Sequence, residues 1–413
     1  MEGRITINEL ENGIVCVHKE VGSTKVAHCA IMFDIGSRDE NANEVGLAHL
    51  WEHMAFKGTK KRSAYQVLTY LDALGGELNA FTTKEKICFH ASVLDVHFEK
   101  AVDVLADISF FSTFPEKELE KEKKVVLEEI SMYYDSPDDA IQDDFEQLIF
   151  PEHPMGNNIL GTAESVPKFN SAHFSQFIDR NLDTGKVVFS SIGNISAEKA
   201  LAIARKKLTS VPKKENGLHR PPVNGLHVKH DKVVKSIQQA HCIWGGRALS
   251  LHDPDKYKLM LLNNILGGPA SNSLLYLSLR EKYGFVYSVE SNYHAFTDTG
   301  VFQIYFATEA KQVGKCMELV AKQLLYLDEV LMKKNKLETY KQQIKGQLAM
   351  SEENNLAFML MMARSLLDLG RIEEIEAVFS EIDKTTAEQL IALRKQYLTP
   401  EQMASLTFLP SND

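Results

Sequence analysis

The chain is poor in the features that mark secreted, membrane-spanning or nucleic-acid-binding proteins. Its 413 residues include five cysteines, Cys16, Cys29, Cys88, Cys242 and Cys316, odd in number, scattered, and without a C-x-x-C pair. They suggest neither a disulfide framework nor a thiolate metal site. Basic charge is in deficit, with 46 Lys and Arg against 56 Asp and Glu and a net charge of -10. Neutralising many phosphates needs a basic face, so no nucleic-acid partner is expected. Long apolar runs are also missing. The longest, residues 356–367, contains Arg364 and falls short of the roughly 20 residues of a membrane span. Residues 1–15 carry Glu2, Glu9 and Glu11 and no apolar core. Neither a secretory leader nor an organelle address is read there, and a cytoplasmic location is expected.

What is present alternates between two periodicities. Residues 12–19, 25–36 and 186–193 are rich in β-branched and aromatic residues and bounded by glycine, which reads as strand. Residues 79–94 read as one or two more strands. Residues 44–57, 64–74, 97–108 and 196–208 carry helical apolar spacing, and Pro115 opens a long charged helix to about residue 133. Residues 212–225 hold three of the twelve prolines, two glycines and three basic residues, the composition of a linker. Beyond it the pattern repeats. Ala27-His28-Cys29 and Phe89 recur as Ala240-His241-Cys242 and Phe302, and Leu119, Glu120 and Met132 recur as Leu337, Glu338 and Met350 after a small insertion. A constant offset with matching element order indicates duplication. The expectation is an α+β fold of two homologous halves, residues 1–211 and 226–413, each a mostly antiparallel sheet with helices packed on one face.

The sharpest chemical signal is His49-Leu50-Trp51-Glu52-His53. Residues i and i+4 share a helix face, so the two imidazoles can converge on one ion. Glu52, about 60° around the helix from His49, can reach a water beside that ion without ligating it. This is the inverted H-x-x-E-H order of a zinc motif. A hydrolytic zinc site needs a third protein ligand and an open position. The glutamate-rich segment 116–129 supplies candidates: Glu122 and Glu129 lie on one side of a helix, and Glu128 points about 100° away. Val125-Val126-Leu127 suggests that the helix enters a core there, where a carboxylate wants a partner. Without a metal, the same segments read as a helix with two ordinary histidines and a solvated acidic face.

The segments G-S-R-D-E (36–40), G-L-A-H-L-W-E-H-M-A-F-K-G-T (46–59), L-N-A-F-T (78–82), V-V-L-E-E-I (125–130), H-P-M-G-N-N-I-L-G-T (153–162), V-V-F-S-S-I-G-N-I-S (187–196) and L-G-G-P-A-S-N-S-L-L-Y-L-S-L-R-E-K-Y-G-F-V-Y-S-V (266–289) resemble the insulinase/pitrilysin superfamily of zinc peptidases. Within it the chain is most similar to the short bacterial peptidases and the β subunit of the mitochondrial processing peptidase. The resemblance covers nearly the whole chain. It implies one Zn²⁺ per chain held by His49, His53 and Glu129, with Glu52 as catalytic base and Glu122, two helical turns before Glu129, as helper. It implies that Arg280 and Tyr287 bind substrate near the scissile bond, although Arg280 also suits the end of a helix before Gly284. Asn79, Ala80 and Phe81 match an edge strand to which an extended peptide can add. The family's Arg in its S-S-R-L-F segment is Ser273 here, so loop contacts are not carried over, and Gly267-Gly268 reads equally as a helix cap.

At the first offset His49, Glu52 and His53 fall on Leu262, Ile265 and Leu266, and at the offset that follows the insertion Glu129 falls on Gln347. Only the first copy is expected to hold zinc, leaving the second to close over substrate. The function expected is a zinc metalloendopeptidase acting on unfolded peptides inside a chamber. The alternative is a non-catalytic core or assembly subunit, which a broken zinc motif would mark. Because family chambers use four such halves, a dimer is expected: a homodimer, or else a heterodimer with an inactive homologue.

Overall fold

In a computed structural model, residues 3–223, 225 and 227–411 are described; Asn224, inside the expected linker, and Leu226, at the start of the expected second half, lie outside them, as do residues 1, 2, 412 and 413. The first half runs β1 (Ile5–Glu9), β2 (Val15–Glu20), β3 (Val26–Phe33), α1 (Leu47–Ala55), α2 (Ala64–Asp72), β4 (Glu77–Thr82), β5 (Ile87–Leu94), α3 (Phe98–Phe110), α4 (Glu116–Tyr134), α5 (Pro137–Ile149), α6 (Ser171–Asn181), β6 (Val187–Gly193) and α7 (Ala197–Leu208). The second runs β7 (His230–Lys235), β8 (Ala240–Ala248), α8 (Lys256–Gly267), β9 (Val286–Ala295), β10 (Gly300–Thr308), α9 (Val313–Leu331), α10 (Lys334–Glu352), α11 (Asn355–Leu369), α12 (Ile375–Lys384), α13 (Ala387–Tyr397) and β11 (Ala404–Pro410).

The fold is α+β with two sheets of matching topology. The first has the order β1-β2-β6-β3-β5-β4 and the second β7-β11-β8-β10-β9. Dropping β1 makes the orders equivalent, because β2–β6 and β7–β11 are the parallel pairs and the remaining pairs are antiparallel. The duplication read from a few residues is thus repeated in strand order and direction. Ile31 on β3 sits opposite both Phe89 and Phe189. Its side of β3, with Cys29 and Phe33, packs into the main core under α1, α3, α6 and α7.

The compact units are not the two consecutive halves expected from the linker. One comprises Met1–Met132, Asn157–Pro221 and Ser351–Ile372, the other Tyr133–Gly156, Pro222–Met350 and Glu373–Asp413. The reason is that each sheet has a second apolar face. In the first unit that face, with Val17, Ala30, Met32, Cys88, Val188 and Ile192, is covered by α11 through Phe358, Met359, Met362 and Ala363. Ser190 on β6 also donates to the Met359 carbonyl at 2.8 Å. In the second unit α5 covers Ile243, Val301, Tyr305 and Leu406 in the same way. The Met-rich segment at 359–362 is therefore core. The linker is also tied down. Thr184 donates to the Lys214 carbonyl, and Arg220 pairs with Asp39 at 2.9 Å and Asp34 at 3.1 Å. No helix among the described residues is long and apolar enough to cross a membrane.

Because Met359 is fully buried, Met359→Ala should cost about 2–5 kcal/mol of stability, the usual range for a core Met truncation. Urea unfolding followed by circular dichroism measures this. A loss below about 0.5 kcal/mol, the range of an ordinary surface substitution, would mean that α11 is not part of the first unit's core.

Candidate metal centre

Helix α1 divides its faces by the helical period. Leu47, Leu50, Trp51 and Met54 are buried in the core, where Trp51 packs against Phe33, Phe89 and Phe177 with ring centroids 5.5–6.3 Å away. His49, Glu52 and His53 lie on the remaining side, His49 buried and the other two half-buried. The helix start is fixed from outside. Gly46 has φ +96, and a Cβ there would come within 2.6 Å of Gly161. Buried Glu40 accepts hydrogen bonds from the N–H groups of Gly46 at 3.0 Å and Ala48 at 2.7 Å, replacing the side-chain cap that glycine lacks. Ser165 donates to the Val45 carbonyl at 2.7 Å. The segments 36–40 and 153–162 thus buttress the start of this helix.

Helix α4 supplies the carboxylates. Leu119, Glu122, Lys123, Val126 and Ile130 are buried, Glu129 is half-buried and Glu128 is exposed, as the helical phase required. Val125 was expected to enter the core and does not, being 46% exposed. The apolar stripe passes through Val126 and Ile130 instead.

The structure brings His49, Glu52, His53, Glu122 and Glu129 together. The His49 and His53 rings are 4.6 Å apart between centroids. Glu129 Oε2 lies 3.5 Å from His53 Nε2 and 3.9 Å from His49 Nε2. One donor atom from each of the three lies within 4.8 Å of the others, and among the described residues this is the group of three His, Cys, Asp or Glu that could hold a metal. His53 Nδ1 lies 3.2 Å from Glu122 Oε2, which leaves Nε2 for an ion. His49 turns Nε2 towards Glu129, and its buried Nδ1 has no hydrogen-bond partner, so Nε2 is the nitrogen placed to ligate. Two imidazoles and a carboxylate are the protein donor set of a hydrolytic zinc site, which keeps its fourth position for water.

The electrostatics agree with that assignment. Burial, then the charge of His53, lowers the pKa of His49 to about 4, so its imidazole is neutral with a free lone pair. Burial also opposes charge on His53, but bonds to Glu122 and Glu129 outweigh it and raise its pKa to about 9. Glu129 thus stabilises a positive charge on the Nε2 side, where a cation would sit, and Glu122 does so from the Nδ1 side. The hydrogen bond from His53 holds Glu129 below the usual carboxylate range. Glu52 is shifted upward, mainly by burial, although Thr82 donates to its Oε2 at 2.6 Å. A carboxylate raised towards neutrality is suited to accept and return a proton.

Strand β4 lies at the edge of its sheet, paired only with β5. Its residues alternate: Leu78 and Ala80 pack on the main core beneath α1, and Phe81 on the α11 side. Asn79 is exposed and Ala80 and Phe81 are half-buried. Arg280 and Tyr287 belong to the second unit. Tyr287 is the second residue of the edge strand β9 and is 82% exposed. The Arg280 guanidinium lies over the rings of Tyr276 and Tyr287, 4.8 and 5.3 Å from their centroids. Gly284, with φ +63, donates to the Arg280 carbonyl at 2.9 Å and closes that helical turn. Gly267 ends α8 and Gly268 caps it, with Ser291 and Asn264 so near that neither position has room for a Cβ. In the second copy Leu262, Ile265 and Leu266 are fully buried, and Gln347 accepts from Asn264 at 2.7 Å.

Two residues at the first site escaped the sequence reading. Thr82 was seen only as part of a strand. Lys57, whose ammonium lies 2.8 Å from Glu122 Oε1, was not singled out, since no periodicity links it to α4. If the helical phase is right, Glu129→Gln should lose zinc or bind it weakly, and Glu128→Gln should retain it. Metal content of the purified variants decides this, and the opposite pattern would overturn the ligand set.

Comparison with known proteins agrees with this geometry. Residues 15–163 match the model of the insulinase (peptidase family M16) domain, and residues 168–344 match the peptidase M16 inactive domain. The uncharacterized zinc protease YmxG of Bacillus subtilis is 35% identical over 398 residues, covering 96% of both chains. An uncharacterized zinc protease of Mycobacterium leprae is 31% identical over 407 residues, covering 96% of this chain and 90% of its own. A peptidase M16 inactive domain structure from Pseudomonas fluorescens superposes with a TM-score of 0.91 at 20% identity, covering 99% of this chain and 98% of that one. A protease from Helicobacter pylori gives 0.92 at 18%, covering 99% and 100%. The H-x-x-E-H helix, the carboxylate helix beside it and these matches along both halves lead to one conclusion: the chain belongs to the insulinase (M16) peptidase family.

Proposed function

We propose that this chain is a zinc metalloendopeptidase that cleaves extended peptides. The observation that carries the reading is the convergence of His49, His53 and Glu129 within 4.8 Å beside a Glu52 whose proton affinity burial raises. His49, His53 and Glu129 would hold one Zn²⁺. The ion supplies Lewis acidity, bringing the pKa of a water to about 7. Glu52 takes a proton from the attacking water and returns it to the leaving amine. Thr82 holds Glu52 through the bond at 2.6 Å. Glu122 holds the His53 ring through Nδ1. Asn79, Ala80 and Phe81 on the β4 edge would pair with substrate through their backbone, which selects extended chain over sequence. From the family resemblance, Tyr287 would donate a hydrogen bond to the developing oxyanion and Arg280 would hold a substrate carbonyl. Tyr287 is accessible to a ligand, being 82% exposed, and the Arg280 guanidinium lies beside it over its ring. The further reading is a homodimer enclosing a chamber, located in the cytoplasm. An intact donor set weighs against a non-catalytic assembly subunit.

Glu52→Gln keeps the shape and the ligands and removes the base. Zinc content should stay near one per chain while turnover of a quenched fluorescent peptide falls by about 10² or more. Full turnover would remove Glu52 from this role.

Tyr287→Phe should leave zinc content unchanged and lower kcat by about 10²–10³, the usual cost of an oxyanion donor. Arg280→Ala should raise KM as well as lower kcat, because a carbonyl clamp also acts in the ground state. Wild-type kinetics in both variants would reduce Arg280 to a helix-end cation.

A further inference from the structure

Lys57 stands two residues beyond the end of α1, and its backbone N–H donates to the Met54 carbonyl at 3.1 Å. Its side chain leaves that turn for α4. The ammonium reaches Glu122 Oε1 at 2.8 Å, while the other oxygen, Oε2, faces His53 Nδ1 at 3.2 Å. One carboxylate is therefore held at both oxygens, by a cation on one side and a candidate metal ligand on the other. The Glu122 side chain is only 10% exposed and that of Lys57 22%. Little water is available to replace the ammonium if it is removed.

We propose that Lys57 is a positioning residue of the metal centre, acting through Glu122 to hold the His53 ring with Nε2 towards the ion. The inference rests on the zinc reading above. Geometry supplies the first reason. A carboxylate bonded at one oxygen still rotates about its terminal torsion, whereas one bonded at both is fixed, and its second bond then defines the imidazole plane. Charge supplies the second. Glu52, Glu122 and Glu129 bring three carboxylates around one divalent ion, and Lys57 is the cation that offsets Glu122 in this half-buried place. It leaves Glu129 to the metal and Glu52 to the water.

The competing account is that Lys57 only complements the C-terminal end of α1, where a cation favours the helix dipole. That role would act on the stability of the helix and not on metal affinity. The two accounts separate in titrations of the full-length protein with zinc, using a competing chelator to obtain Kd, alongside melting of the metal-free protein. Lys57→Met keeps most of the aliphatic stem and removes the charge. It should weaken zinc binding about tenfold, the lower end of the cost of an outer-sphere partner, and the metal-free Tm should fall as well, because Glu122 loses a partner where little water can take its place. Lys57→Arg keeps a donor and a charge and should bind zinc nearly as the wild type does. Since Lys57 acts through Glu122, the double variant K57M/E122Q should bind zinc no more weakly than Glu122→Gln alone. Wild-type zinc affinity in Lys57→Met, with weakened binding in Glu122→Gln, would overturn this proposal and leave the zinc site standing. A lowered metal-free Tm with unchanged Kd would establish the helix-end account instead. Failure of the wild-type protein to bind zinc would overturn the zinc reading and this inference with it.

Discussion

The rotational setting of α1 governs the candidate site. Two imidazoles four residues apart can share an ion only if the helix presents that face and no other, and one residue of rotation moves each side chain by about 100°. The indole of Trp51 opposes such a rotation, being buried among three phenyl rings. Burying a large aromatic side chain is worth several kcal/mol. The axial position is set where Gly46 meets Gly161 and Glu40 takes two N–H groups of the first turn. A side chain at either glycine would push the first turn outward and carry His49 with it. Segments with no chemistry of their own, 36–40 and 153–162, therefore act on the metal centre by fixing where the helix begins.

Much of this was legible because it depends on period. The spacing of His49 and His53, the apolar stripe of Leu47, Leu50, Trp51 and Met54, and the choice of Glu122 and Glu129 over Glu128 follow from 3.6 residues per turn. The strands β3, β5 and β6 were legible from β-branched and aromatic runs. What stayed hidden was partner choice. The sequence of α11 shows a buried face but not which sheet buries it, and it packs on strands far away along the chain. The same is true of α5, so a division at the linker was the natural reading and the compact units are interleaved instead. Val125 was misplaced for a smaller reason: an apolar triplet cannot lie wholly on one side of a helix, and its first member faces solvent. Lys57 and Thr82 join the site through contacts between separate elements, for which no local pattern exists.

The second copy shows what the first retains at a cost. Where α1 has His49, Glu52 and His53, α8 has Leu262, Ile265 and Leu266, all without exposed surface. Burying polar groups without partners costs about 1–3 kcal/mol each, so a copy without an ion is better served by aliphatic packing. The position matching Glu129 became an amide, Gln347, and it pairs with another amide, Asn264, at 2.7 Å. That pair satisfies hydrogen bonds without charge and needs no cation.

The replacement is also difficult to reverse. His49 and His53 keep part of their surface open towards the α4 carboxylates, whereas the aliphatic trio on α8 is enclosed in a core with Leu259, Leu275 and Leu279. Returning histidines there would bury two imidazoles and open no path for an ion. An ion site needs a helix face that is fixed but not filled. The first unit meets both demands because the Trp51 face of α1 carries the packing and the His49 face is left to the carboxylates. In α8 the corresponding face has been given over to packing, which ties the asymmetry between the copies to the core itself.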